Sequence, residues 1–334
     1  MMETAKIFCD GAVFQAGKPI RIFGTGDGEA EVSFDGECRR ARSENGKWQI
    51  ELGARAYGGP HELKLKLNGQ EKTLRDIYIG EVVLLAGQSN IALKLKRSTY
   101  PVESYEGEPL VRYFVSERYE HEDTFSPDDG WVKCTEESAA NFSAIGYHIG
   151  ISACREKNIA VGLIACYLGS SVIESWMPAE ISCREEFYLP PEEKFDSPYV
   201  HGAYNVHGTL YGIRQQSIVP FAVGHVVWYQ GESNSGAGEW KIYTKLLFEL
   251  ISCWRRDFVD PELPFYVVLL PNFDERNDAA WNGIRTAQEK IIYLTDHVFT
   301  VPSADVCESF DIHPPTKVRL AERIWQRIKE NIEA

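Results

Sequence analysis

The chain has 334 residues, 44% hydrophobic and 25% charged, an ordinary globular composition long enough for a principal domain with a smaller companion. Its 35 basic and 49 acidic side chains leave a net charge of −14, which works against unspecific binding to nucleic acid or anionic membrane surfaces. No segment offers the roughly 18 apolar residues of a membrane span, and the first residues lack the basic region and apolar core of a signal peptide.

Residues 1–78 are short extended segments with turn punctuation. Leu63, Leu65 and Leu67 share one face of an alternating run, Gly/Asp/Asn clusters separate the runs, and no stretch has helical period. This predicts a small antiparallel β-sandwich ending near Arg75-Asp76. From residue 79 the texture changes. Apolar runs at 81–86, 160–168, 222–229, 264–270 and 297–301 alternate with helical patterns at about 143–157, 239–256, 281–294 and 316–332. In the last of these, Ala321, Ile324, Trp325, Ile328 and Ile332 follow i, i+3, i+4 spacing behind Pro314-Pro315. Continuous apolar strands alternating with helices predict a doubly wound, mostly parallel sheet covered on both faces, so the expected class is α/β with domains at 1–78 and 79–334. Two stretches, about 95–130 and 179–209, have no period and are expected to be loops that shape a substrate site.

Three strand ends carry reactive residue types. GEVVLLAGQSN (80–90) delivers Ser89 where the chain must turn, VVWYQGESN (226–234) closes on Gln230 and Glu232, and DIHPP (311–315) places Asp311 and His313 ahead of a helix start. Open α/β sheets collect their chemistry at the carboxyl ends of strands, so the pattern reads as a serine hydrolase. A serine at such a turn is also an ordinary backbone cap. The G-x-S-x-G elbow is absent, because Ile91 stands where its second glycine belongs.

GEVVLLAGQSN closely resembles the nucleophile block of the sialate O-acetylesterase family within the SGNH-type hydrolases. NFSAIGYHIG (141–150), VGLIACYLGSSVIESWMP (161–178), VVWYQGESN, WNGIRTAQ (281–288) and DIHPPTK (311–317) resemble its later blocks, and DGAVFQAGKPIRIFGTG (10–26) with NGKWQIEL (45–52) resembles its prefix. The resemblance covers nearly the whole chain. It implies an SGNH-type fold and removal of O-acetyl groups from a sugar through an acetyl-Ser89 intermediate, with His313 as base. Asp311 or Glu232 is to orient His313; Asp311 is favoured, although D-I-H is one residue short of the commoner Asp-to-His spacing. The backbone N–H groups of Ser89 and Gly169, with Gln230, are expected to hold the oxyanion. Gln88, Asn90, Trp176, Arg214 and Arg285 are expected at the substrate, Trp176 by stacking on the ring and one arginine by pairing with a sialate carboxylate.

One departure is Leu210-Tyr211-Gly212-Ile213-Arg214, which replaces an asparagine that the family carries there and puts substrate preference in question. Because related families share these blocks, acetylated plant-type polysaccharide such as xylan is an alternative substrate, and a non-catalytic carbohydrate-binding protein is the alternative from another class. No metal or nucleotide motif appears, His201 and His207 are too loosely supported for a metal site, and no cofactor is expected. The partner expected is an O-acetylated sugar, not nucleic acid or membrane. Eight cysteines without C-x-x-C spacing predict reduced thiols and a cytoplasmic setting.

Overall fold

The computed structural model describes residues 2–99, 109–119, 130–276 and 278–333. The N-terminal strands are β1 (Glu3–Thr4), β2 (Val13–Gln15), β3 (Ile20–Thr25), β4 (Glu29–Phe34), β5 (Glu37–Arg42), β6 (Lys47–Leu52) and β7 (Gly58–Leu67). Six of them form two groups, and β2 pairs parallel with residues 78–80 of the next strand. β1, β3 and β6 pair antiparallel, and β5, β4 and β7 pair antiparallel and continue onto β8 (Gln70–Gly87). The alternation in KWQIEL explains why β6 buries Trp48, Ile50 and Leu52 and exposes the residues between them.

Strand β8 runs unbroken through residues 78–79 and becomes the middle of the second sheet. There it meets β9 (Val111–Val115), β10 (Val132–Lys133), β11 (Val161–Tyr167), β12 (His225–Tyr229), β13 (Phe265–Val268) and β14 (Val298–Val301) in the order β10-β9-β11-β8-β12-β13-β14. Every pairing in this row is parallel except β10 with β9. The whole is a mixed α/β fold with one large mixed sheet. Strand β9 is a correction: 95–130 was expected to be loop, yet VRYFV within it is an interior strand. Five residues with no turn residue inside are too short to register against a long irregular stretch. Residues 100–108 and 120–129 of that stretch lie outside the described residues. In the second irregular stretch, 179–209, single turns of helix follow one another, as its lack of period implies.

The helices are α1 (Ser89–Ala92), α2 (Glu136–Asn141), α3 (Ala144–Lys157), α4 (Ala179–Ser182), α5 (Glu239–Asp257), α6 (Ala279–Glu289) and α7 (Val318–Glu333). Register shows which faces they cover. Val227 lies beside Leu85 and Trp228 beside Ala86, so Leu85 and Trp228 point to opposite faces. Helix α3 packs with α7 on the Leu85 side, where Gly146 lets it come close, whereas α5 packs with α6 on the Trp228 side through Trp254. A single apolar core runs from Met2 to Ile328 through both parts, and Phe8 and Phe14 of the N-terminal strands pack on Phe221. No described helix is long and apolar enough to cross a membrane.

After β8 the chain moves outward on one side to β9 and returns to β11; it then crosses to β12 and proceeds through β13 and β14. The order therefore reverses around β8. A crevice opens at such a reversal beyond the carboxyl ends of the strands, and β8 ends there, two residues before Ser89.

Candidate active site

Gly87 is the first requirement of the turn. Its φ is +126°, and a Cβ on it would collide with the Tyr229 carbonyl oxygen on β12, so only glycine lets the two strands close here. Gln88 N–H donates to that same carbonyl at 3.0 Å, and Leu168 N–H at the end of β11 donates to the Gly87 carbonyl at 3.0 Å. The three strand ends are thereby tied together, and Ser89 emerges as the first residue of α1. Its N–H lies in the first turn, where no helical carbonyl reaches it.

His313 arrives from the far end of the sequence with Nε2 2.8 Å from Ser89 Oγ. The ring is held partly out of solvent. Burial pulls its pKa below the ordinary value, the Lys317 and Arg97 charges act in the same direction, and the Asp311 charge opposes them. The imidazole is consequently neutral at pH 7, the form that accepts a proton. Gly169 lies opposite: a Cβ built on it would stand 3.7 Å from Ser89 Cβ in ordinary contact, and its φ is not in the left-handed region. Glycine at 169 keeps room open above the serine and is not needed for the turn.

The remaining residues singled out in the sequence are placed differently. Asp311 is exposed, and its Oδ1 accepts from the backbone N–H of His313 at 2.8 Å, so it shapes the turn that carries the ring. Glu232 is buried with Oε1 accepting from Asn90 Nδ2 at 2.6 Å, while Oε2 is buried without a protein partner among the described residues. Burial raises its carboxyl to about 7, opposed by the Asn90 bond and the Lys317 charge. Gln230 is not turned toward Ser89. Its Nε2 donates to the Ser171 carbonyl at 3.0 Å and Asn234 Oδ1 at 2.7 Å, and its Oε1 accepts from Tyr243, so its amide is spent on the Gly169 loop and the core.

Most of the side chains expected at the substrate are internal. Trp176 is fully buried edge-to-face against Trp228 and Trp254 and donates to Ser171 Oγ at 2.9 Å, which makes it core and not a sugar platform. Gln88 accepts from Ser233 N–H at 3.3 Å in the interior. Asn90 is buried between Glu232, the Ile312 carbonyl and Lys317. Arg214 is buried beside Ser116, with its pKa pulled to about 9 by burial and the Arg118 charge. Arg285 is half-buried and gives Nη2 to the Pro271 carbonyl at 2.9 Å. Motif chemistry had marked these side chains as polar and therefore as contacts; buried polar groups serve equally well as braces.

Three further residues escaped the sequence reading. Asn205, in the irregular stretch, accepts from Val172 N–H at 2.9 Å and donates to the Ser170 and Val200 carbonyls at 2.9 and 3.0 Å, which fixes the loop carrying Gly169. Lys317, four residues after His313, is wholly buried and gives Nζ to Asn90 Oδ1 at 2.7 Å. Arg97 is exposed near His313, on a segment held to the His313 loop by Thr99 N–H donating to the Pro315 carbonyl at 3.0 Å. Only Lys317 left a trace in sequence, as part of DIHPPTK.

A family profile described as carbohydrate esterase, sialic acid-specific acetylesterase, matches residues 79–328. The chain belongs to this family. It is 26% identical over 311 residues to the human sialate O-acetylesterase, covering 83% of this chain and 59% of that protein. The mouse sialate O-acetylesterase is 25% identical over 335 residues, covering 83% and 62%. Thus the chain spans about three-fifths of the length of these relatives. A crystal structure of a carbohydrate acetylesterase from Xanthomonas citri superposes with a TM-score of 0.81 at 26% identity, over 97% of this chain and 74% of that one.

Proposed function

We propose that this protein is a serine esterase of the SGNH type that removes O-acetyl groups from sugars, with O-acetylated sialates as its substrate class. The observation that carries the reading is the 2.8 Å contact of His313 Nε2 with Ser89 Oγ at the strand reversal, with Gly169 next to the serine. Ser89 Oγ attacks the acetyl carbonyl as its proton passes to His313 Nε2. The tetrahedral oxyanion is held by the Ser89 and Gly169 N–H groups, each such donor being worth roughly 3 kcal/mol of barrier. His313 then protonates the leaving sugar hydroxyl. Water, deprotonated by the same ring, attacks the acetyl-Ser89 carbonyl and releases acetate, so no cofactor enters the cycle.

A sialate carboxylate approaching a protein of net charge −14 requires a local cation. Arg97 fits this requirement, being exposed and close enough for its charge to lower the His313 pKa. The eight cysteines, which show no C-x-x-C pair, support a reducing, cytoplasmic setting. The test compares an aryl acetate with an O-acetyl sialate. Ser89→Ala should keep less than about a tenth of wild-type turnover on both. Arg97→Gln should raise KM for the sialate and leave the aryl acetate unchanged. Activity surviving in Ser89→Ala ends the mechanism. An outright preference for neutral acetylated sugars such as acetylxylan fragments ends the sialate assignment alone.

A further inference from the structure

Lys317 stands where a cation is poorly received. It immediately precedes α7, its carbonyl accepting from Ala321 N–H at 2.9 Å, so its charge sits at the positive end of that helix. It is also entirely out of solvent. An apolar side chain would fill the space at less cost, because a buried charge is retained only where partners compensate it. The compensation comes from Asn90 Oδ1 at 2.7 Å and the face of the Tyr229 ring at 5.6 Å.

The ammonium has only donors, so it dictates which way the Asn90 amide faces. With Oδ1 turned to Lys317, both Nδ2 hydrogens are directed elsewhere: one to Glu232 Oε1 at 2.6 Å and one to the Ile312 carbonyl at 2.9 Å. Asn90 is the residue after Ser89, and Ile312 is the residue before His313. One amide therefore joins the neighbours of both reacting groups, and one cation fixes its orientation.

On the esterase reading above, we propose that Lys317 is a positioning residue: by orienting the Asn90 amide it clamps the His313 loop against the Ser89 turn and holds the imidazole on the hydroxyl. Glu232 closes the clamp from the other side. This gives the buried carboxylate a task that does not involve touching the His313 ring.

The charges around the ring make the role measurable. His313 is faced by Lys317, Asp311 and Arg97; Lys317 in turn is faced by Cys307, Glu232, Glu308 and Asp311, and burial holds it near 8. Below that value the ammonium helps keep His313 neutral. Lys317→Met removes the charge and the donor together while filling similar volume. On an aryl acetate kcat should fall about 10- to 100-fold with KM little changed, the scale on which small misplacements of a catalytic group are felt. The acid limb of the kcat/KM profile should move toward higher pH, because the base becomes easier to protonate. Lys317→Gln keeps a donor for Asn90 without the charge, so it should recover much of kcat and still show the moved limb. If Lys317 acts through Asn90, adding Asn90→Ala to Lys317→Met should cost no more than the worse single change.

Wild-type kcat in Lys317→Met overturns the proposal whether or not the limb moves, as do losses that add in the double variant. Should Lys317→Met fail to fold, Asn90→Ala and Lys317→Gln carry the test through kcat: the first should lose about 10- to 100-fold and the second little, and wild-type kcat in Asn90→Ala or a full loss in Lys317→Gln overturns the proposal. The esterase reading fails separately, through retained turnover in Ser89→Ala.

Discussion

The residue before His313 and the residue after Ser89 matter here as much as the pair itself, and Asp311 shows how a motif carboxylate is used. Its bond goes to the His313 backbone N–H. Asparagine accepts that bond equally well and alanine does not. Asp311→Asn should therefore stay within about threefold of wild-type kcat on an aryl acetate, and Asp311→Ala should lose roughly tenfold or more through misplacement of the ring. Equal large losses in steady-state assays would instead assign the role to the charge, as in a triad whose carboxylate stabilises the imidazolium. With its charge removed, Asp311→Asn should also move the acid limb toward lower pH, since Asp311 is the group that raises the His313 pKa.

Among the elements, the irregular stretch 179–209 shapes the site from behind. Asn205 uses two hydrogen bonds, from Val172 N–H and to the Ser170 carbonyl, to tie this stretch to the loop of Gly169. Removing its amide leaves Val172 N–H without its partner, which costs about 1–3 kcal/mol. Asn205→Ala should lower the melting temperature by several degrees and reduce kcat/KM on an aryl acetate by an order of magnitude; thermal denaturation and kinetics on one preparation check both. The regular elements were legible in sequence because their periods were strong. Helix α5 spans Glu239–Asp257 where the pattern gives 239–256, and α3 spans Ala144–Lys157 where it gives 143–157. The short strand β9 was lost because its neighbours carry no period. The serine and histidine were legible because strand ends and sequence blocks mark them. What the other polar residues do was not, since whether an amide faces a substrate or a carbonyl is decided by tertiary neighbours: Gln230 and Trp176 carry the same letters in either role.

At the scale of the whole molecule, the N-terminal strands and the large sheet are locked by polar groups at the base of the parallel strands. Glu81 on β8 accepts from Gln15 on β2 at 3.0 Å and from Tyr57, and lies 3.0 Å from His225 Nε2 on β12, all of it roughly 20 Å of strand away from Ser89. Burial pushes the Glu81 carboxyl up, but the bonds and charge of His225, with Tyr57 and Gln15, outweigh it and leave it below its ordinary value of 4.5. A carboxylate depressed in this way contributes stability above the unfolded value and loses it as pH falls through the folded one. Glu81→Gln should thus cost on the order of 3 kcal/mol at pH 7, and chemical denaturation followed against pH should show the deficit closing only below 4.5. Turnover per folded molecule should be unchanged.

Strand β8 holds the N-terminal pairing partners at one end and the Ser89 turn at the other, eighteen residues interrupted by one bulge at Arg75-Asp76, where Asp76 has φ +58° and the register against β7 shifts. Beyond that bulge the stretch that meets β2 (Tyr78–Gly80) runs straight into the stretch that meets β11 and β12 (Glu81–Gly87), and the two share one phase of inward and outward side chains. A single residue inserted between them would exchange the places of Leu85 and Ala86 and turn the approach to Ser89 over, even though every loop stayed intact. The N-terminal strands are for this reason poor material for shuffling among proteins as a detachable cassette: a fusion that misses by one residue arrives with Ser89 facing the wrong way.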